Sequence, residues 1–159
     1  MNCEGIEISP ASSDDLRDIL DLLSEVQLPH EGVAENVGSF LVARNEQSRL
    51  AGTIGLERYG DTALLRSAAV APEYQNSGLG SRLTEDLLAR ATREGVEKVV
   101  LLTSTASEFF ARRFGFCETS REIYDERLAG SPEWNLPRCS SAVCMSLDLN
   151  RHDDNERTC

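Results

Sequence analysis

The segment Val70–Ser81 joins the end of an apolar run to two closely spaced glycines and the start of a helix pattern. Backbone N–H groups in the first turn of a helix have no intrahelical partner. Glycine allows that backbone to approach a ligand closely, and the helix dipole adds positive potential. These features predict a binding site for a pyrophosphate. Neither a dinucleotide fingerprint nor a Walker A loop fits, because Leu83 and Ser81 stand where those motifs need Gly and Lys.

Glu57 ends a strand pattern just before a turn, and it is the first candidate for a general base. An alkylamine has a pKa near about 10, so a carboxylate that removes its proton would make it nucleophilic. A solvated charge at the end of a strand explains Glu57 equally well. His30 and Glu31, in the predicted loop of residues 29–38, are second choices.

Arg66 lies inside the otherwise apolar run LLRSAAVA. In a strand of period two it shares a face with Ala68 and Val70. A charge in such a run needs a partner. That partner is either an internal carboxylate or the carboxylate or oxyanion of a substrate, which arginine binds bidentately.

Hydrophobic periodicity predicts the elements that position these residues. The predicted strands are 5–9, 39–44, 50–58, 63–70, 96–103, a strand from 116 onward, and 140–149. The predicted helices are 13–26, one from Gly78 and Gly80 to about 94, and one that starts with a Thr105/Glu108 capping box and ends near Gly115. Residues 29–38 and 124–138 are predicted to be mainly irregular.

The chain has 159 residues and a net charge of −11, which argues against a nucleic-acid partner. No stretch approaches the roughly 20 apolar residues that span a membrane. The N-terminus lacks the pattern of a signal peptide, so a cytoplasmic location is expected. We predict one domain over residues 1–150 and a polar, disordered tail over 151–159.

The basic residues are 15 Arg and the single Lys98. Acidic excess with almost no Lys resembles proteins of salt-loving archaea, in which strong salt screens the repulsion between surface carboxylates. A genome rich in GC would also favour Arg over Lys.

Five cysteines occur, an odd number without any CxxC pair. This predicts free thiols and argues against a disulfide framework or a metal site.

The pattern Gln75-x-x-Gly78-x-Gly80, preceded by Val70-x-Pro72 and followed by Gly115-Phe116, resembles the GNAT superfamily of N-acetyltransferases over about residues 5–149. The resemblance implies an α/β fold of the α+β type, with a mixed, mostly antiparallel sheet of about seven strands and about four helices. It also implies that this sheet is splayed at a cofactor cleft.

The same resemblance implies acetyl-CoA as co-substrate and transfer in a ternary complex. The implied contacts to acetyl-CoA are the strand residues Ala68, Ala69 and Val70, the loop residues Gln75, Asn76, Ser77, Gly78, Leu79, Gly80 and Ser81, and also Ser104 and Phe110. The usual tyrosine acid of the family is Ala111 here, which leaves Tyr74 and Ser104 as alternative donors.

Further segments resemble the arsenic-resistance-type N-acetyltransferases, which are similar to short amino-acid N-acetyltransferases such as N-acetylglutamate synthase. These segments are Leu28-Pro29 with Gly32-Val33, 40–43, 55–57 with 59–60, 64–67, 101–103 leading to 109–110, and 139–145. This branch implies a small, acidic, amino-acid-like acceptor amine that contacts Arg66 and Glu31. It does not imply that arsenic is bound, because Cys139 and Cys144 would point to opposite faces of one strand.

Two other functions stay open at this point. The chain could acetylate a peptide or protein amine, or it could be a non-catalytic module that binds acetyl-CoA. A homodimer formed through strands near the C-terminus is a further expectation from the family.

Overall fold

The computed structural model describes residues 3–137 and 141–150, and the elements counted below lie in those ranges. The strands are β1 (Glu7–Pro10), β2 (Phe40–Arg44), β3 (Leu50–Tyr59), β4 (Thr62–Val70), β5 (Lys98–Thr103), β6 (Cys117–Glu118) and β7 (Val143–Asp148). The α-helices are α1 (Leu16–Glu25), α2 (Val33–Asn36), α3 (Leu79–Arg93) and α4 (Ser107–Phe114). Short 3₁₀ turns occupy Ser13–Asp15, Val37–Ser39, Pro72–Tyr74 and Arg121–Tyr124.

The strands form one sheet in the order β1-β2-β3-β4-β5-β7-β6. The pairs β1/β2, β2/β3, β5/β7 and β6/β7 are antiparallel, and β4/β5 is parallel. For the described residues, this confirms the predicted mixed, mostly antiparallel sheet of seven strands with four helices.

The parallel ladder pairs Thr62–Leu64 of β4 with Lys98–Val100 of β5. Beyond these residues β4 continues to Val70 and β5 to Thr103. The splay of the sheet that the family resemblance implies stays a prediction.

The chain divides into two compact units that share β3 and β4. The first comprises residues up to Leu56 together with Arg66–Arg90, and the second comprises Glu57–Leu65 together with the residues from Ala91 onward. The prediction of one domain over 1–150 stays a prediction, and the predicted tail over 151–159 lies outside the described residues.

In the first unit, α3 packs directly against β3 because Gly52 has no side chain. A Cβ atom at Gly52 would lie 2.9 Å from Leu83 Cδ1 and 3.2 Å from Leu79 Cδ2. Leu79, Leu83 and Leu87 recur every four residues along α3 and are buried. This packing places the N-terminal turn of α3 against β3.

In the second unit, the core surrounds β5, where Val99–Leu101 are buried. A side-chain cluster there is centred on Trp134, which is 1% exposed. Its other members are Leu64, Val100, Tyr124, Leu128 and Cys144. The loop of residues 124–137 therefore contributes to the core although it is largely irregular, as predicted.

The predicted starts of α4 and of the last strand need correction. The capping box at Thr105 and Glu108 is wrong, because Ala106 is the N-cap of α4 and has no side-chain cap. The Ala106 N–H instead donates to Thr103 Oγ1 at 2.9 Å, so the end of β5 supplies the acceptor. Ser140, the predicted start of the last strand, lies outside the described residues, and β7 begins at Val143.

Across residues 3–137 and 141–150, no helix is both long enough and apolar enough to cross a membrane. In the same part of the chain, no cluster of three or more His, Cys, Asp or Glu side chains is arranged to hold a metal ion.

Candidate active site

The loop between β4 and α3 has the backbone geometry that its sequence predicts. Asn76 (φ 64°) and Gly78 (φ 90°) both adopt left-handed conformations. A Cβ atom added at Gly78 would have nothing within 4 Å. The backbone at this turn is therefore open on the side where a side chain would otherwise stand, and a ligand can approach it.

The first intrahelical bond of α3 runs from the Arg82 N–H to the Gly78 carbonyl at 3.1 Å. The Leu79 N–H donates to Ser77 Oγ at 3.3 Å. Helical geometry leaves the N–H groups of Gly80 and Ser81 without a carbonyl one turn earlier in α3. These donors and the helix dipole can bind an anionic group such as a phosphate.

Two side chains fasten this loop to its surroundings. Gln75 Nε2 donates to the Val70 carbonyl at 3.2 Å, so it closes the loop onto the end of β4. Tyr74 is buried, and its hydroxyl accepts from Asn45 Nδ2 at 3.2 Å. Tyr74 thus anchors the loop. This structural role explains its presence without a role as proton donor in catalysis.

The N-terminal segment provides a third attachment. Cys3 Sγ lies 3.2 Å from the Ser77 carbonyl oxygen and 3.3 Å from Ser77 Oγ. Arg82 donates to the carbonyls of Cys3 and Ile6 at 3.4 and 3.5 Å. Ser77 Oγ itself donates to the Tyr74 carbonyl, so the serine hydroxyl stabilises the turn by a hydrogen bond inside it.

The end of β4 departs from regular alternation. Ser67 has φ 58°, which is the left-handed region and uncommon for a residue with a side chain. Arg66 and Ser67 are consecutive buried residues, whereas Ala68 is exposed. Ser67 interrupts the regular strand conformation between Arg66 and Ala68, and the shared face of Arg66, Ala68 and Val70 stays a prediction.

Arg66 is 2% exposed, and its guanidinium group holds a loop. Nη1 donates to the Glu31 carbonyl at 2.5 Å and Nη2 to the Pro29 carbonyl at 3.2 Å. Nε donates to Ser67 Oγ at 3.1 Å. The structure thus brings Arg66 and Glu31, the two predicted acceptor-binding residues, together through the Glu31 backbone.

Glu31 and His30 are both solvent-accessible. A ring nitrogen of His30 lies 2.9 Å from Ser24 Oγ, which ties the loop to the end of α1.

Glu57 is fully buried, with an exposed fraction of 0%. The Tyr59 hydroxyl donates to Glu57 Oε1 at 2.6 Å. The alternative interpretation of Glu57 as a solvated charge at a strand end is therefore wrong. A buried carboxylate that already accepts a hydrogen bond is a stronger candidate for acid–base chemistry.

The remaining predicted contacts to acetyl-CoA lie in the second unit. Ser104 directly follows β5 and is exposed, so its hydroxyl is accessible to a ligand that binds from solvent. Phe110 is 5% exposed and packs edge-on against Phe109 and Phe116, with ring centroids 5.0 and 5.5 Å apart. This core packing is sufficient to explain an apolar residue at position 110, without a contact to acetyl-CoA.

The prediction that all cysteines are free is wrong for Cys117, which is disulfide-bonded. Cys3 and Cys144 are free. Burial raises the pKa of the Cys144 thiol to about 11, so this thiol stays protonated at neutral pH.

Comparison with known proteins identifies the family. A family model described as the acetyltransferase (GNAT) family matches residues 9–116, which include Glu57, Arg66 and the loop before α3. The chain belongs to the GNAT family of acetyltransferases. This confirms the superfamily that the sequence resembles, whereas the arsenic-resistance-type branch stays a prediction.

Relatives of this GNAT chain include an uncharacterised N-acetyltransferase of Chlorobaculum tepidum, 30% identical over 99 residues. That match covers 62% of this chain and 62% of the relative.

Among solved structures, N-acetylglutamate synthase from Neisseria gonorrhoeae, complexed with coenzyme A and L-arginine, is similar at a TM-score of 0.74 and 24% identity. The match covers 92% of this chain but only 34% of the synthase. The protein Rv2747 of Mycobacterium tuberculosis, in complex with CoA, is similar at a TM-score of 0.74 and 24% identity, covering 89% and 98% of the two chains. At these identities the likeness shows the fold.

Sequence reasoning missed Tyr59 as the partner of Glu57. A signal was present, since residues two apart on a strand lie on the same face. It also missed Cys3 and Asn45 as supports of the loop before α3. No local pattern could have indicated them, because they contact residues far away in the chain.

Proposed function

We propose that this GNAT chain transfers the acetyl group of acetyl-CoA to the amine of a small, acidic, amino-acid-like acceptor. The observation that carries the proposal is the loop before α3, where Gly78 and the N–H groups of Gly80 and Ser81 fit a pyrophosphate. The exposed Ala68 and its neighbours Ala69 and Val70 would pair with pantetheine through their backbone. Asn76, Ser77 and Leu79 complete the loop.

The proposed reaction is direct attack in a ternary complex. The acceptor nitrogen forms a bond to the thioester carbonyl carbon, the C–S bond breaks, and the CoA thiolate leaves and takes up a proton. Glu57 is the proposed general base, which removes a proton from the ammonium group directly or through water. Its burial beside a hydroxyl donor supports this role.

The acceptor class rests on three further observations. The buried Arg66 holds the loop of residues 29–31, which supports an acceptor site bounded by Arg66 and Glu31. N-acetylglutamate synthase from Neisseria gonorrhoeae, similar at a TM-score of 0.73, is complexed with coenzyme A and N-acetyl-glutamate. The sequence segments shared with the arsenic-resistance-type branch also suggest an amino-acid-like acceptor.

The test is CoA-thiol release from acetyl-CoA in high salt, with amino acids, acidic amino-acid analogues and basic peptides as acceptors. We expect turnover with a small acidic acceptor. Glu57→Gln should lower kcat by about 100-fold or more while the Kd for acetyl-CoA changes little. Glu85→Gln, which alters an exposed carboxylate on α3, is the matched control.

Other results would contradict the proposal in distinct ways. Turnover with basic peptides alone would indicate a peptide acetyltransferase. Binding of acetyl-CoA without turnover of any acceptor would indicate a non-catalytic binding module. Full activity of Glu57→Gln would remove Glu57 as the base.

A further inference from the structure

The last three residues of β3 contain a buried carboxylate and a phenol on one face of the strand. Glu57 and Tyr59 are two residues apart, so their side chains point the same way. The Tyr59 hydroxyl oxygen lies 2.6 Å from Glu57 Oε1. A contact this short between a hydroxyl donor and a carboxylate is typical of a charge-assisted hydrogen bond.

The ring of Tyr59 is fixed by packing in its own unit. It lies against the cluster that contains Leu64, Tyr124 and Trp134. A Cβ atom at Gly130 would stand 3.4 Å from Tyr59 Cε1, so the irregular loop also closes on the ring. The phenol therefore has little freedom to turn away from Glu57, and forming the hydrogen bond costs little additional conformational entropy.

We infer that Tyr59 is the positioning residue for the general base Glu57. By donating to Oε1, it holds the buried carboxylate in one orientation. Tyr59 acts through Glu57 and is not itself a catalytic residue. This inference rests on the proposed acetyl transfer with Glu57 as base.

The experiment compares Tyr59→Phe with Tyr124→Phe in the full chain, with acetyl-CoA and an acceptor that the wild type turns over. Tyr124 belongs to the buried cluster and Tyr59 packs against it, so each change removes one phenolic hydroxyl at that cluster. Tyr59→Phe should lower kcat by about tenfold and leave the KM for acetyl-CoA within about twofold. Tyr124→Phe should keep kcat within about twofold of the wild type.

A double-mutant cycle separates positioning from general support of the fold. If Tyr59 acts through Glu57, adding Tyr59→Phe to Glu57→Gln should change kcat by less than about twofold. Equal losses in both backgrounds, or equal losses in Tyr59→Phe and Tyr124→Phe, would overturn the inference and leave Tyr59 a packing residue.

Failure of the proposed function has a different signature. Glu57→Gln at wild-type kcat, or a wild type without turnover, would defeat the base assignment itself and this inference with it. A slow Tyr59→Phe variant would then have to act through some group other than Glu57.

Discussion

Glu57 and Arg66 are charged side chains that the fold removes almost completely from solvent. Burying a charge is costly unless it is paired or hydrogen-bonded. The Tyr59 hydroxyl offsets part of this cost for Glu57, and two loop carbonyls and the Ser67 hydroxyl do so for Arg66. Such buried ionisable groups concentrate at functional sites, so each merits a test by substitution.

The structure changes what Arg66→Ala should do. Loss of the guanidinium releases the carbonyls of Pro29 and Glu31, so the loop loses its attachment to β4 and the proposed acceptor site loses its shape. We expect the KM for the acceptor to rise about tenfold, the KM for acetyl-CoA to stay nearly unchanged, and the free energy of unfolding to fall by about 1–3 kcal/mol. Steady-state kinetics and denaturant unfolding measure these effects.

Arg93→Ala, at the exposed end of α3, is the control for loss of a positive charge. Arg66→Lys should behave like Arg66→Ala, because a single ammonium group cannot reproduce the fork of donors of a guanidinium. Lower stability of Arg66→Ala with an unchanged acceptor KM would restrict Arg66 to a structural role.

At the scale of elements, the turn between β4 and α3 is the feature on which the proposed binding of acetyl-CoA depends. Its left-handed residues Asn76 and Gly78 are held by contacts from β4, from the β2–β3 turn and from the N-terminal segment. A turn that is held at several points before a ligand arrives loses less conformational entropy on binding.

Gly78→Ala and Gly60→Ala form a matched pair for this element. Both glycines have positive φ (90° and 68°), and a Cβ atom at either would meet nothing within 4 Å. Each substitution should therefore destabilise the fold by a similar amount, about 1–2 kcal/mol.

Only Gly78→Ala puts a methyl group where the pyrophosphate would approach. The Kd for acetyl-CoA, measured by calorimetry, should rise about tenfold for Gly78→Ala, or about 1.4 kcal/mol, and stay unchanged for Gly60→Ala. Equal affinities of the two variants would argue against a cofactor contact at Gly78.

At the scale of the whole molecule, the net charge of −11 and the scarcity of lysine dominate the surface. Ion pairs such as Arg44 with Asp15 at 2.7 Å neutralise part of the negative charge. The remaining carboxylates repel one another, and salt screens that repulsion.

We therefore expect the melting temperature and the rate of acetyl transfer to rise from low salt to molar KCl. An uncharged osmolyte at the same osmolality is the control, because it cannot screen charge. Higher activity without salt than in molar KCl would contradict salt adaptation and favour nucleotide composition as the origin of the arginine excess.

Local patterns in the sequence were sufficient for most of the fold. The strands from β2 to β5 and the helices α1 and α3 follow from hydrophobic periodicity, which reports the face that each element buries. The turn at Gly78 follows from residue type, because few residues other than glycine adopt its backbone conformation at low cost. The family then followed from the spacing of Gln75, Gly78 and Gly80.

Tertiary structure alone decided the environment of the charged residues. The sequence left open whether Glu57 is solvated and what Arg66 contacts, because the answers depend on chain segments that are distant in sequence. It also gave no sign of the left-handed conformation of Ser67 (φ 58°), because serine does not require it. Sequence determines which elements form because periodicity is local, whereas burial and pairing of a charge depend on the neighbours that folding brings to it.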